Sequence, residues 1–132
     1  MWLMALMGVP ISLMSLRQND DFGVLEAGMD KKGEIDNLTK IIKPDLGVIT
    51  NISYAHSKNF KNIKLIADAK AEIIQNINTN GALILNADDK FFKYHKDIAY
   101  KKKINVLSFG IRNKLSFVKL IKIKKINRKK YE

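Results

Sequence analysis

The chain of 132 residues contains no cysteine. That absence excludes disulfides, thiolate zinc sites and a cysteine nucleophile. It also has no apolar run of the ~20 residues that a bilayer span needs. The apolar stretch from Met1 to Leu16 falls short of that length, begins without a positive charge and offers no small-residue cleavage site, so it does not read as a signal peptide. It reads as a core helix or as the ragged edge of a truncated gene. The expectation is a soluble, cytoplasmic chain that avoids the membrane. Acidic residues are scarce as well: 13 against 24 basic ones, for a net charge of +11. Such an imbalance suits either a lysine-biased soluble surface or a polyanion partner. The excess concentrates after Lys101, and no basic helix interleaved with aromatics stands out, so no nucleic-acid partner is expected.

What is present is a core. Hydrophobic residues make up 46% of the sequence, which excludes a disordered chain. Apolar runs alternate with helical patterns. Phe22-Gly23-Val24-Leu25 is short and unbroken, as expected for a strand buried on both faces. Gly33 to Lys43 places Ile35, Leu38, Ile41 and Ile42 at helical spacing and ends at Pro44. Leu46 to Ile52 reads as a second buried strand, and Asn62 to Asn78 as one long helix closed by the turn Asn78-Thr79-Asn80-Gly81. Ala82 to Leu85 is a third strand. Asp88 is placed to cap the helix carrying Phe91, Phe92, Ile98 and Ala99, and Ile104 to Phe109 is a fourth strand. Strands separated by helices of this length predict an α/β fold with a mostly parallel sheet and flanking helices. After Gly110, Ile121-Lys122-Ile123-Lys124 alternates like an edge strand, and Asn127 to Glu132 reads as a frayed tail.

In such sheets ligands sit beyond the carboxyl ends of the strands. There the sequence delivers Glu26, then Thr50, Asn51 and Ser53 with His56 beyond, then Asn86, Asp88 and Asp89. Glu26 at a strand end is placed either to hold Mg²⁺ or to serve as an ordinary solvated or capping acid. His56 is either a loop surface residue or a ligand. His95 shares a helix face with Phe91 and Ile98 and reads as a packed histidine. Asn86 suits a hydrogen bond to a base or a turn cap. Asp88 and Asp89 read as an N-cap and a dipole-favourable acid.

Lys70 is the most informative position. It interrupts a stripe of Ile63, Ile66, Ile73, Ile74 and Ile77 at helical spacing. A lysine there either snorkels to the stripe's edge or is a desolvated amine with a lowered pKa, open to conversion by carbon dioxide into a metal-binding carbamate.

Taken in order, Gly8-Val9-Pro10 with Ser12-Leu13, Val24-Leu25-Glu26-Ala27-Gly28, Gly33-Glu34-Ile35, Ile49-Thr50-Asn51-Ile52 with Ala55-His56, Ala69-Lys70-Ala71-Glu72-Ile73, Leu85-Asn86-Ala87-Asp88-Asp89 with Phe91-Phe92, and Ser108-Phe109-Gly110 resemble the central domain of the Mur ligases. The resemblance covers nearly the whole span from Gly8 to about Gly110, and its most specific part is the pairing of Thr-Asn-Ile…His with Ala-Lys-x-Glu-Ile.

It implies a partial central ATP-binding domain of the P-loop NTPase-like kind over residues 1–112, with an edge strand and basic tail over 113–132. It further implies an ATP- and Mg²⁺-dependent ligase, the partners UDP-N-acetylmuramoyl-tripeptide and D-alanyl-D-alanine, and a monomer. By the same resemblance Glu26 binds the nucleotide Mg²⁺, His56 and a carbamylated Lys70 hold a second Mg²⁺, and Asn86 meets the adenine. Thr50, Asn51 and Ser53 line the phosphates and the reacting carboxylate. The alternatives are a sister ligase, a folyl-polyglutamate-type synthetase or a basic polyanion-binding module. One departure is large: no G-x-x-x-x-G-K-[ST] phosphate loop occurs anywhere in the sequence, which implies a fragment inactive alone.

Overall fold

The computed structural model describes residues 2–54, 59–121, 125–127 and 130–131, with side chains described only between residues 8 and 121 of these. The chain opens with α1 (Trp2–Met14) and then runs without regular structure to α2 (Glu34–Ile42). β1 (Leu46–Ile49) follows, then α3 (Ile63–Ala71), which tightens into a 3-10 helix over Glu72–Asn76. β2 (Ala82–Asn86), α4 (Phe92–Lys101) and β3 (Asn105–Gly110) complete the βαβ series, and β4 (Val118–Lys119) adds a short edge. The four strands lie in the order β1-β2-β3-β4, all parallel. A separate antiparallel pair is formed by β5 (Lys125–Asn127) and β6 (Lys130–Tyr131).

Local chemistry explains the boundaries. Gly33 sits at φ 92, a left-handed conformation open to glycine at little cost, and hands the chain into α2. The Asn62 side chain accepts the Leu65 N–H and caps α3. The turn before β2 is closed by Gly81 N–H to the Asn78 carbonyl, with Asn80 at φ 69.

The core gathers Ile66, Ala67, Ala69, Ile74, Leu83, Leu85 and Ala99, each at most 1% exposed. On the sheet, one face carries Ile49, Leu83 and Leu85 and is sealed, and a Cβ on Gly47 would already touch Ile73 and Ile77. The opposite face leaves Leu46 and Val48 about half exposed.

Several expectations change. Phe22 to Leu25 has no regular structure rather than forming a strand; Phe22 is 88% and Val24 96% exposed, and the stretch is paired with no strand among the described residues. β1 is buried on one face only, and it ends at Ile49 rather than Ile52. The long helix is two: α3 gives way to 3-10 geometry at Glu72, whose carboxylate is drawn toward α2. The end of the chain holds the hairpin β5–β6 where a frayed tail was expected, while Lys122 to Lys124 lie outside the described residues. In α1, of the described side chains only Val9 is buried, so this part of the helix is surface rather than core.

Asp88 caps no helix. Its carboxylate accepts the backbone N–H groups of Ile111, Arg112 and Asn113 beyond β3. Finally, α4 is a basic helix with interleaved aromatics: the Lys96 amine lies 5.7 Å from the Phe92 ring centre and 5.3 Å from that of Tyr100. That pattern was hidden because Phe92, Lys96 and Tyr100 are four apart and meet only once the helix forms.

Candidate functional site

The parallel strands β1, β2 and β3 end on one rim. Beyond β1, the segment Thr50 to Ser53 leaves the sheet with Thr50, Asn51 and Ser53 exposed and Ile52 buried at 5%. Its backbone is held from three directions. The Asn86 side-chain amide donates to the Thr50 carbonyl at 3.1 Å, the Lys70 amine donates to the Asn51 carbonyl at 2.9 Å, and Asp89 accepts the Ile52 N–H at 2.8 Å. The structure thus brings Lys70, Asn86, Thr50 and Asn51 together, with Ser53 next in the chain.

Lys70 reaches this rim because it stands inside the isoleucine stripe of α3, half-buried, with Ile66 one turn before it and Ile74 one turn after. Its amine leaves the stripe toward the strand ends and finds a carbonyl partner. In this arrangement it serves as a donor; conversion to a carbamate would give it oxygens able to bind a metal. Asn86 spends its side chain on both neighbours, since its oxygen also accepts the Asp88 N–H at 2.9 Å. One N–H and further acceptor capacity remain for a ligand.

Glu26 is exposed and lines a shallow cleft of about 240 Å³ between α1 and the irregular segment that follows it, with Gly8, Val9, Ser12, Val24, Leu25 and Gly28. His56 lies outside the described residues. No cluster of three or more His, Cys, Asp or Glu side chains suited to a metal occurs among the described residues.

His95 is buried at 2%, its Nε2 3.0 Å from the Ala67 carbonyl and its ring against Phe91 and Tyr94. Burial, the largest influence, holds its imidazole below the ordinary 6.5. It packs α4 against α3, as the sequence indicated. Nearby, the Tyr94 hydroxyl donates to Asp68 at 2.5 Å and Lys64 pairs with the same carboxylate.

Sequence reasoning missed the rim's acceptors. Asp89 joins Ile52, and Glu72 accepts the Gly33 and Asp36 N–H groups at the start of α2, at 2.7 and 3.1 Å. Both contacts span more than 35 residues of sequence, so local spacing carried no sign of them. A weak signal was the acid pair itself, since two adjacent carboxylates exceed what one helix cap requires.

Residues 4–132 match the Mur ligase middle domain. The chain is similar to the UDP-N-acetylmuramoyl-tripeptide–D-alanyl-D-alanine ligase of Buchnera aphidicola from Acyrthosiphon pisum, 39% identical over 108 residues, covering 81% of this chain and 23% of that protein. It is similar to the ligase of the same name from Rickettsia prowazekii, 36% identical over 113 residues, covering 83% of this chain and 25% of that one. Among solved structures, MurF from Acinetobacter baumannii superposes with a TM-score of 0.80 at 32% identity, over 89% of this chain and 25% of that chain. The chain thus spans about a quarter of the length of the relatives it matches. With a family match over nearly its full length and a parallel sheet that superposes on a solved relative, the chain belongs to the Mur ligase family, as part of its middle domain.

Proposed function

We propose that this chain is part of an ATP- and Mg²⁺-dependent ligase that joins D-alanyl-D-alanine to UDP-N-acetylmuramoyl-tripeptide, working in the cytoplasm as a monomer. Residues 1–112 would supply part of the ATP-binding domain, and residues 113–132 its edge strand and basic tail. The observation that carries the reading is the convergence of Lys70, Asn86, Thr50 and Asn51 on one rim of a parallel sheet, where such sheets bind ligands. The names of the relatives supply the substrates.

In this reading Asn86 meets the base, while Thr50, Asn51 and Ser53 border the phosphates. Glu26, His56 and a carbamylated Lys70 would hold the magnesium ions, which neutralise charge on a phosphoryl group in transfer. That role would require the Lys70 side chain to exchange its bond to the Asn51 carbonyl for a metal. The described residues fit this donor set only in part, because they hold no cluster of three His, Cys, Asp or Glu side chains suited to a metal.

A graft tests the proposal. The matching 18% of the Bacillus subtilis ligase, to which this chain is 40% identical over 82 residues, is replaced by the corresponding residues of this chain. D-alanyl-D-alanine-dependent phosphate release is then measured. Turnover that falls by about 100-fold or more in Lys70→Ala and Glu26→Ala is expected, the size seen when a transition-state charge partner is removed. A folded graft whose turnover ignores both substitutions would overturn the assignment. The ungrafted chain, with no phosphate loop in its sequence, is expected to release no ADP.

The second reading, a polyanion-binding module, is favoured by one observation: Lys96 on α4 lies against the rings of both Phe92 and Tyr100. Steeply salt-dependent RNA binding that vanishes in Lys96→Glu would support it.

A further inference from the structure

Asp88 and Asp89 follow β2 directly, and their carboxylates serve opposite neighbours. Asp88 takes the N–H groups of Ile111 and Asn113 at 2.6 and 2.7 Å, beyond β3. Asp89 takes Ile52 N–H at 2.8 Å with one oxygen, beyond β1, and Phe91 N–H at 2.7 Å with the other, ahead of α4. The rim segment Thr50 to Ser53 has no strand pairing of its own, since β1 and β2 pair only from Leu46 to Ile49 on the β1 side. Besides the burial of the Ile52 side chain in the core, three side-chain hydrogen bonds hold its backbone among the described residues.

These three are not equivalent. Asn86 and Lys70 donate to carbonyls of exposed residues, where water is a ready substitute. Asp89 instead accepts an N–H from a residue 5% exposed, and losing it would strand a donor beside the core. It is also a charged acceptor, and such bonds are the stronger kind.

We propose that Asp89 is a positioning residue that sets the conformation of Thr50 to Ser53, and with it the place where the Lys70 amine meets the Asn51 carbonyl. Its bearing on ligand binding rests on the reading of this rim given above; its hold on the segment does not. Each of its oxygens accepts a backbone N–H, and its hold on the segment passes through Ile52.

Amide hydrogen exchange on the ¹⁵N-labelled 132-residue chain, without ligand, tests this directly. Asp89→Ala removes the acceptors of both N–H groups. Exchange at Ile52 is expected to accelerate about tenfold or more, the loss of roughly one buried bond. Leu83 and Leu85 in β2 should hold their protection. Asp88→Ala should free Ile111 to Asn113 and leave Ile52 as it was. Unchanged exchange at Ile52 in Asp89→Ala overturns the proposal, and so does equal acceleration at Leu83 and Leu85, which marks a general loss of stability.

The measurement involves no nucleotide, so a failure here is distinct from a failure of the graft.

Discussion

Phe22-Gly23-Val24-Leu25 and Ala82-Leu83-Ile84-Leu85 are both short apolar runs, yet they end in opposite environments. Ala82 to Asn86 became β2, paired with β1 on one side and β3 on the other, with Leu83 and Leu85 at 0% and 1% exposure. Phe22 to Leu25 stayed irregular and unpaired among the described residues, with Phe22 and Val24 almost wholly in solvent. Composition made both stretches capable of strand, but a strand exists only where a neighbour takes its N–H and C=O groups. For β2 those neighbours arrive through the helices α3 and α4, which return the chain to the same sheet. Nothing described returns to the other stretch.

The largest expected effect lies on the paired side. Ile66 is 1% exposed in the cluster beneath β2. Ile66→Ala should cost about 2–5 kcal/mol, the usual range for emptying such a site. That is a large share of the ~5–15 kcal/mol that holds a domain together. Urea unfolding checks it, and a cost below about 1 kcal/mol would mean that α3 is not seated on the sheet as described.

A smaller effect, and one that depends on pH, comes from His95. Its imidazole is held below the ordinary 6.5, first by burial and against weaker help from Ala67, Asp89 and Asp68; Lys64 adds to the lowering. The folded chain therefore binds the proton less readily than the unfolded one. Its contribution is fully present above 6.5 and is lost as pH falls from 6.5 toward the lower folded value. Unfolding free energy measured from pH 8 to pH 5 should decline across that window. His95→Gln should remove that part of the slope, leaving whatever His56 contributes. A slope unchanged by the substitution would show that His95 is not the titrating group. Asp88 acts lower still: the N–H groups of Arg112 and Ile111, in that order, hold its carboxyl below 3.8. Its support of the β3 end persists above that range and disappears only as pH falls through it.

How much of this was legible follows from what local spacing encodes. The stripe around Lys70 was readable, because helical period alone places it between Ile66 and Ile73; that its amine reaches the Asn51 carbonyl was not. So were the parallel sheet and the packed His95. Phe22 to Leu25 was misread because pairing is a property of two segments, and the sequence shows one at a time. Asp88 was misread for the same reason: its partners at Ile111 to Asn113 lie more than 20 residues on. Glu72 likewise reaches back to Gly33. The rim was visible as a set of strand ends, but the carboxylates that shape it were visible only as acids.

The smallest expected effect sharpens the opening comparison most. If Phe22 contributes nothing to a core, Phe22→Ser should change unfolding free energy by less than about 0.5 kcal/mol, as surface substitutions generally do. The matching change on the paired side, Leu83→Ser, removes a fully buried side chain and introduces a hydroxyl without an arranged partner, so it should cost several-fold more. The two substitutions exchange residues in runs of similar hydrophobicity, so composition cannot account for a difference between them. Exposed apolar side chains also drive self-association. Phe22→Ser should therefore raise the concentration at which light scattering first detects oligomers, even while leaving stability unchanged. A cost for Phe22→Ser approaching that of Leu83→Ser would show that residues 22–25 are buried in solution, and the contrast between paired and unpaired runs would fail.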